Sequence, residues 1–195
     1  EAYDMVFQAY KLAESPDVML PVMINLDGFV LTHTYELIHM ADQKKVDAFI
    51  PYQKFANRMD LDHPMSTSIT AGPLYNMEFR YQHEALRRAG EKLAEVDREY
   101  GALFGRSYGG MVETYQCEDA EAILVTLGSV AGTARCMVDA YRQSGKKVGL
   151  VKIRCMCPFP AREIADAVRG AKAIGVLEKN INFGYEGTVF SEVNS

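Results

Sequence analysis

The sequence predicts an α/β protein built in two parts, and three observations carry that prediction. In the second half, short apolar runs alternate with amphipathic stretches of helical spacing, the rhythm of a parallel sheet covered by helices. A flexible joint, Gly105-Arg-Ser-Tyr-Gly-Gly110, divides the chain, so residues 1–105 and 106–195 are expected as separate domains. The segment Pro21–Thr34 (PVMINLDGFVLTHT) runs from apolar residues straight into a polar loop holding Asn25, Asp27, Thr32 and His33. Ligands of open parallel sheets bind beyond the carboxyl ends of the strands, which makes that loop a candidate site edge.

The elements follow in order. Helical apolar spacing (Met5, Ala9, Leu12, Ala13) covers residues 1–14, and Ser15-Pro16-Asp17 breaks it. Residues 18–26 have the composition of a buried strand. Asp42 is placed as the N-cap of a helix that reaches Phe49 and stops before Pro51. Residues 51–73 contain three prolines and little periodicity, and such a stretch is functional or packed against a partner. The longest helical pattern spans 76–104, where Tyr81, Ala85, Ala89, Leu93, Val96, Tyr100 and Leu103 form one apolar stripe. Beyond the joint come an edge strand at 111–116, a buried strand at 122–127 and a helix at 130–143 that ends before Gly145. A strand at 148–153, a helix at 161–169 opened by Pro158 and Pro160, and a strand at 173–177 complete the pattern. The last residues, 187–193, read as a strand or the start of a helix. The chain opens inside an amphipathic pattern without a start methionine and is read as a segment of a longer polypeptide.

Composition narrows the function. With 48% apolar and 24% charged residues the chain can bury a sizeable core, and a net charge of −5 gives no reason to expect nucleic acid. The densest basic spot, Arg87-Arg88, is followed by Glu91, Glu95 and Glu99 and reads as a mixed helix surface. No run approaches the roughly 20 apolar residues that a membrane span requires. The four cysteines, at 117, 136, 155 and 157, include no Cys-x-x-Cys pair and are expected as buried, reduced thiols in the cytoplasm.

Few motifs carry chemistry by themselves. Gly128-Ser-Val-Ala-Gly132 follows a strand and opens a helix, so its amides are placed to meet a phosphate. It lacks the Gly-x-Gly-x-x-Gly spacing, and the next strand ends in no ribose-binding acid, so a plain tight turn is the simpler reading. Asp27-Gly28 lacks the first glycine of a magnesium-binding Gly-Asp-Gly, since Leu26 stands there. Asp27 is therefore expected to cap the amides of its own loop. The histidines at 33, 39, 63 and 83 form no His-x-x-x-His pair and predict no metal site. His33, beside Thr32 and Thr34, is either a proton donor or a histidine tied into the loop by hydrogen bonds. Glu178 with Lys179 is either a local surface pair or a polar edge that meets a ligand or a neighbouring subunit.

Taken together and in order, Pro21–Thr34, Tyr75–Tyr81 (YNMEFRY), Glu113–Ala120 (ETYQCEDA) leading into Leu124–Ser129, Val148–Lys152 with Pro158-Phe-Pro160, and Val176–Lys179 with Gly184–Gly187 resemble the alpha subunit of pyruvate:ferredoxin oxidoreductase, of the 2-oxoacid:ferredoxin oxidoreductase family. The resemblance implies that residues 1–105 are the later part of a thiamine-diphosphate pyrimidine-binding domain and residues 106–195 a truncated domain like the transketolase C-terminal domain. It implies oxidation of pyruvate with coenzyme A and ferredoxin, or the reverse synthesis of pyruvate, on thiamine diphosphate with magnesium bound mainly by other parts of the enzyme. Branched-chain or aryl 2-oxoacids are the alternative substrates, and a subunit-assembly module is the alternative role. Iron–sulfur clusters are implied on other subunits, and beta, gamma and delta-type subunits and ferredoxin as partners. In the family the glutamate that activates the aminopyrimidine and the Thr and Arg that contact substrate lie nearer the amino terminus, before Glu1. The resemblance thus supplies no catalytic residue here and implies that this chain alone is inert. Asp27, Thr32 and His33 are expected to border the active-site cleft as supporting groups.

Overall fold

The computed structural model describes residues 1–55, 58–64 and 72–195. They divide into two units, Glu1–Ile24 with Met40–Gly105 and Asn25–His39 with Arg106–Ser195.

The first unit is helical. Helix α1 (Ala2–Ala13) ends at Glu14, where Ser15-Pro16 stops the pattern. Helix α2 (Gln43–Phe49) starts as its sequence requires, with Asp42 accepting a hydrogen bond from the Lys45 N–H at 3.2 Å. Helix α3 (Pro73–Phe104) begins on a proline, which needs no amide partner in the first turn. It ends where Gly105, at φ 73°, turns left-handed and donates its N–H to the Gly101 carbonyl.

Two small cores hold these helices. Leu12 and Val18 pack on Ala89, and Phe49 packs on Val96 and Tyr100. Rings of Phe7, Phe49, Tyr100 and Phe104 stack or meet edge to face around the second core. Of the stripe expected along α3, Ala85, Ala89, Val96 and Tyr100 are buried and Leu93 and Leu103 half-buried, whereas Tyr81 remains 65% exposed. Along α1 the buried residues are Asp4, Gln8 and Leu12 in place of the apolar Met5 and Ala9. Asp4 accepts from the Tyr100 hydroxyl at 2.6 Å and Gln8 donates to Asp97 at 3.0 Å, so a polar seam joins α1 to α3.

Residues 18–26 do not form the expected strand. Among the described residues of this unit none pairs with them, Met19 is left-handed at φ 47°, and Met23 is 82% exposed. Apolar composition describes a strand's side chains, but a strand exists only where a neighbour takes its backbone groups. Of the irregular stretch 51–73, residues 51–55 and 58–64 form no helix or strand, and 56–57 and 65–71 lie outside the described residues.

The second unit is a four-stranded sheet in the order β1-β3-β2-β4, with β1 (Val112–Tyr115), β2 (Ala122–Leu127), β3 (Val148–Ile153) and β4 (Ala173–Leu177). The strands β3, β2 and β4 run parallel, and β1 extends them as an antiparallel edge. Alternation along the strands divides the core between two faces. Leu150 meets Ala134 and Val138 of α4 (Val130–Gln143) on one face. Ile123, Val125, Val151 and Ile153 meet Ile164 of α5 (Ala161–Val168) and Val189 of α6 (Thr188–Asn194) on the other. The chain's last segment is therefore a helix.

The connection from β2 goes to one neighbouring strand, and the connection from β3 crosses back over β2 to β4. A reversal of this kind opens a crevice beyond the carboxyl ends of the strands. No helix among the described residues is long and apolar enough to cross a membrane.

Candidate functional site

The carboxyl ends of β2 and β4 are neighbours in the sheet, and each passes into a short polar turn. β2 ends in Gly128-Ser129 at the start of α4, and β4 ends in Glu178-Lys179. Asn25–His39, the segment that carries the sequence-predicted site residues, belongs to this unit.

Asp27 is the residue that joins these pieces. Its Oδ2 accepts a hydrogen bond from the Ser129 backbone N–H at 2.7 Å, and the Lys179 ammonium lies 3.9 Å from the same oxygen. The expectation that Asp27 caps its own loop is thus corrected. It serves an amide 102 residues further along the chain. The physical reason is that the first amides of a helix lack internal partners and carry the positive end of the helix dipole, which attracts a carboxylate from any part of the chain.

Gly128 makes that approach possible. Its φ is +72°, and a Cβ there would stand 3.1 Å from Asp27 Oδ2. The hydrogen bonding at Ser129, with Lys179 adding to it, holds the Asp27 carboxyl below the usual carboxylate range. A carboxylate so held is a poor proton acceptor near neutral pH, and its chemistry here is positioning.

His33 and Thr32 lie in the turn that follows. The His33 N–H donates to the Phe29 carbonyl at 2.9 Å, and its ring stacks on Phe29 with centroids 5.0 Å apart. The Thr32 hydroxyl lies 3.0 Å from His33 Nδ1, and the Thr34 hydroxyl donates to the Val30 carbonyl. Of the two readings of His33, the geometry favours the histidine tied into its loop. Asp27 and His33 do not share a hydrogen bond. Asn25 is exposed.

Glu178 and Lys179 do not pair with each other. Lys179 turns toward Asp27, whereas Glu178 accepts from the backbone N–H groups of Val189 and Phe190 at 3.1 and 2.9 Å. The reading of a local Glu178–Lys179 pair is replaced by a carboxylate that caps α6. A Cβ on Gly187 would overlap that carboxylate, which explains the glycine at this place. The sequence shows a signal for both caps, since Gly128 and Gly187 each precede a helix. It does not show which acid reaches which helix.

Two corrections concern the cysteines. Cys136 and Cys157 are exposed, and only Cys117 and Cys155 are partly covered. Burial pushes the Cys117 and Cys155 thiols up, so they stay protonated at neutral pH. The Cys155 thiol lies 3.4 Å from the Cys157 carbonyl oxygen.

No group of three or more His, Cys, Asp or Glu side chains is placed to hold a metal ion among the described residues, and Asp27 is engaged by Ser129 and Lys179. Nor is the start of α4 open as a phosphate cradle, because the Asp27 carboxylate accepts from its Ser129 amide.

Comparisons with known proteins cover both halves of the chain. Residues 1–101 match the family model described as "Pyruvate flavodoxin/ferredoxin oxidoreductase, thiamine diP-bdg", and residues 120–195 match "Pyruvate:ferredoxin oxidoreductase core domain II". The pyruvate synthase subunit PorA of Methanothermobacter thermautotrophicus is 45% identical over 196 residues, covering 100% of this chain and 51% of that protein. PorA of Methanosarcina barkeri is 39% identical, covering 100% of this chain and 49% of that protein. The ketoisovalerate oxidoreductase subunit VorA of Pyrococcus horikoshii is 40% identical, covering 98% and 49%. The chain thus spans about half the length of the curated relatives it matches. Among solved structures, a 2-oxoglutarate:ferredoxin oxidoreductase from Magnetococcus marinus matches with a TM-score of 0.43 at 18% identity, over 62% of this chain and 18% of that one.

Proposed function

This chain belongs to the pyruvate flavodoxin/ferredoxin oxidoreductase family, and from that premise we propose that it is part of the alpha-type subunit of a 2-oxoacid:ferredoxin oxidoreductase that acts on pyruvate. One observation carries the reading: similarity to PorA subunits runs through the whole of this chain, reaching 45% identity. In the proposed reaction, pyruvate, coenzyme A and oxidised ferredoxin give acetyl-CoA, carbon dioxide and reduced ferredoxin, or the reverse. A branched-chain 2-oxoacid is the second reading, favoured by 40% identity to a ketoisovalerate subunit.

Thiamine diphosphate supplies the carbanion chemistry of such enzymes, and the protein supplies binding, orientation and electrostatics. In this proposal residues 1–105 are the later part of the pyrimidine-binding domain and 106–195 the start of the next domain, a division supported by family matches that end at 101 and resume at 120. The groups that activate the cofactor and hold magnesium come from other parts of the enzyme, as the engaged Asp27 suggests. Asp27, Thr32 and His33 border the cleft and set the course of the loop without touching the reacting atoms. The partners are the remaining subunits of the complex and ferredoxin, and the compartment is the cytoplasm.

Steady-state kinetics of the assembled enzyme on a panel of 2-oxoacids test the substrate. We expect kcat/KM for pyruvate to exceed that for 3-methyl-2-oxobutanoate by at least about tenfold, the discrimination that a difference of one or two methyl-sized groups supports. A preference for the branched acid would replace the first reading by the second.

A further inference from the structure

We propose that residues 25–39 form a strap fastened to the carboxyl edge of the sheet by the Asp27 carboxylate, and that the strap opens as a unit when this clasp is broken. The inference rests on the geometry of the second unit alone and stands apart from the reaction proposed above.

Three observations converge on it. Among the described residues, every hydrogen bond and ion pair that leaves the strap for residues 106–195 ends on Asp27, through Ser129 and Lys179. The strap's other bonds are local, from Val30 to Gly28, from His33 to Phe29, from Thr34 to Val30 and between Thr32 and His33. Its apolar side chains contribute little burial, since Phe29 is 80%, Val30 62%, Tyr35 102% and Leu37 96% exposed. A segment with few buried apolar contacts has a low local opening free energy, and a charge-assisted bond then governs how often it opens.

The receiving side is built for this carboxylate. Gly128 leaves room for the carboxylate, the α4 amide supplies a donor, and Lys179 supplies the opposite charge. Lys179 is also adjacent to Glu178, which caps α6, so the end of β4 anchors the strap and the last helix from two successive residues. The clasp is a positioning device: Asp27 acts through Ser129 and Lys179 to hold a turn whose own bonds do not attach it to the sheet.

Hydrogen exchange read by mass spectrometry on the full-length protein tests the proposal, with the strap amides of Val30 and His33 and the Ser129 amide as reporters. In Asp27→Ala we expect exchange in peptides covering 28–34 and 128–132 to rise roughly ten- to a hundredfold, the change that losing a hydrogen bond to a charged group produces. Peptides from β2 and β3 keep their protection. Asp27→Asn, which retains a neutral acceptor, and Lys179→Met, which removes the ammonium, give smaller rises and serve if the alanine variant does not fold. Unchanged exchange in the strap across these variants would overturn the proposal. So would equal acceleration in β2 and β3, because the strap would then open only with the sheet.

Discussion

Asp27 acts on the sheet through the Ser129 amide, and this makes its behaviour with pH predictable in sign. Its folded carboxyl titrates below the ordinary 3.8 because of hydrogen bonding from the Ser129 side chain first and its backbone amide second, with Lys179 contributing less. A depressed carboxyl stabilises the folded state fully above the unfolded value, and the contribution fades as pH falls through the folded one. The clasp is therefore closed at neutral pH and weakens only in acid. Carbon-detected NMR of the labelled carboxyl should give a midpoint below 3.8 in the native protein. In Lys179→Met the midpoint rises but stays below that value, and a return to the ordinary value would mean that the ammonium carries the effect. Glu178 offers a second test at this scale. Gly187→Ala forces its carboxylate off the Val189 and Phe190 amides and should cost about 1–2 kcal/mol, as loss of a helix cap does. Glu178→Gln should cost less, and thermal denaturation of the double variant should show much less than the sum.

At the scale of elements, the sequence was most legible where glycine and proline punctuate it. The bounds of β2, α4, β3 and β4 match their expected ranges because each apolar run ends at a turn residue or a change of period. Asp42 was legible as a cap for the same reason, since its partner is three residues away. The strand expected at 18–26 failed because pairing is a property of two segments and only one was visible. The polar seam of α1 failed differently. Asp4 and Gln8 are buried only because Asp97 and Tyr100, nearly a hundred residues later, satisfy them. A pattern rule that assigns burial to apolar residues selects the neighbouring face. Tyr100→Phe removes a donor from the buried Asp4 and should lower stability by about 1–3 kcal/mol, measured by thermal or urea denaturation. A change under about 0.5 kcal/mol, the usual range for surface substitutions, would show that the seam contributes nothing specific. The same limit applies to the candidate site: the loop was legible as a site edge, but its true partners, Ser129 and Lys179, were reachable only through the fold.

For the whole molecule, the order of the two family matches along the chain links a thiamine-diphosphate-binding domain to core domain II of these oxidoreductases. The chain spans about half of its relatives, and the described residues place no metal-binding cluster. On the proposal that the cofactor's principal contacts come from other parts of the enzyme, residues 1–195 expressed alone should show no micromolar binding of thiamine diphosphate with magnesium in isothermal titration. Micromolar binding by this piece would relocate the cofactor's principal contacts into it. The most direct test of the function is electron transfer by the complex that co-purifies with the tagged full-length protein, assayed with pyruvate, coenzyme A and ferredoxin. Ferredoxin reduction that requires pyruvate, coenzyme A and thiamine diphosphate together is the predicted result. A complex replete in all its subunits that reduces no ferredoxin with pyruvate or any other 2-oxoacid would contradict it.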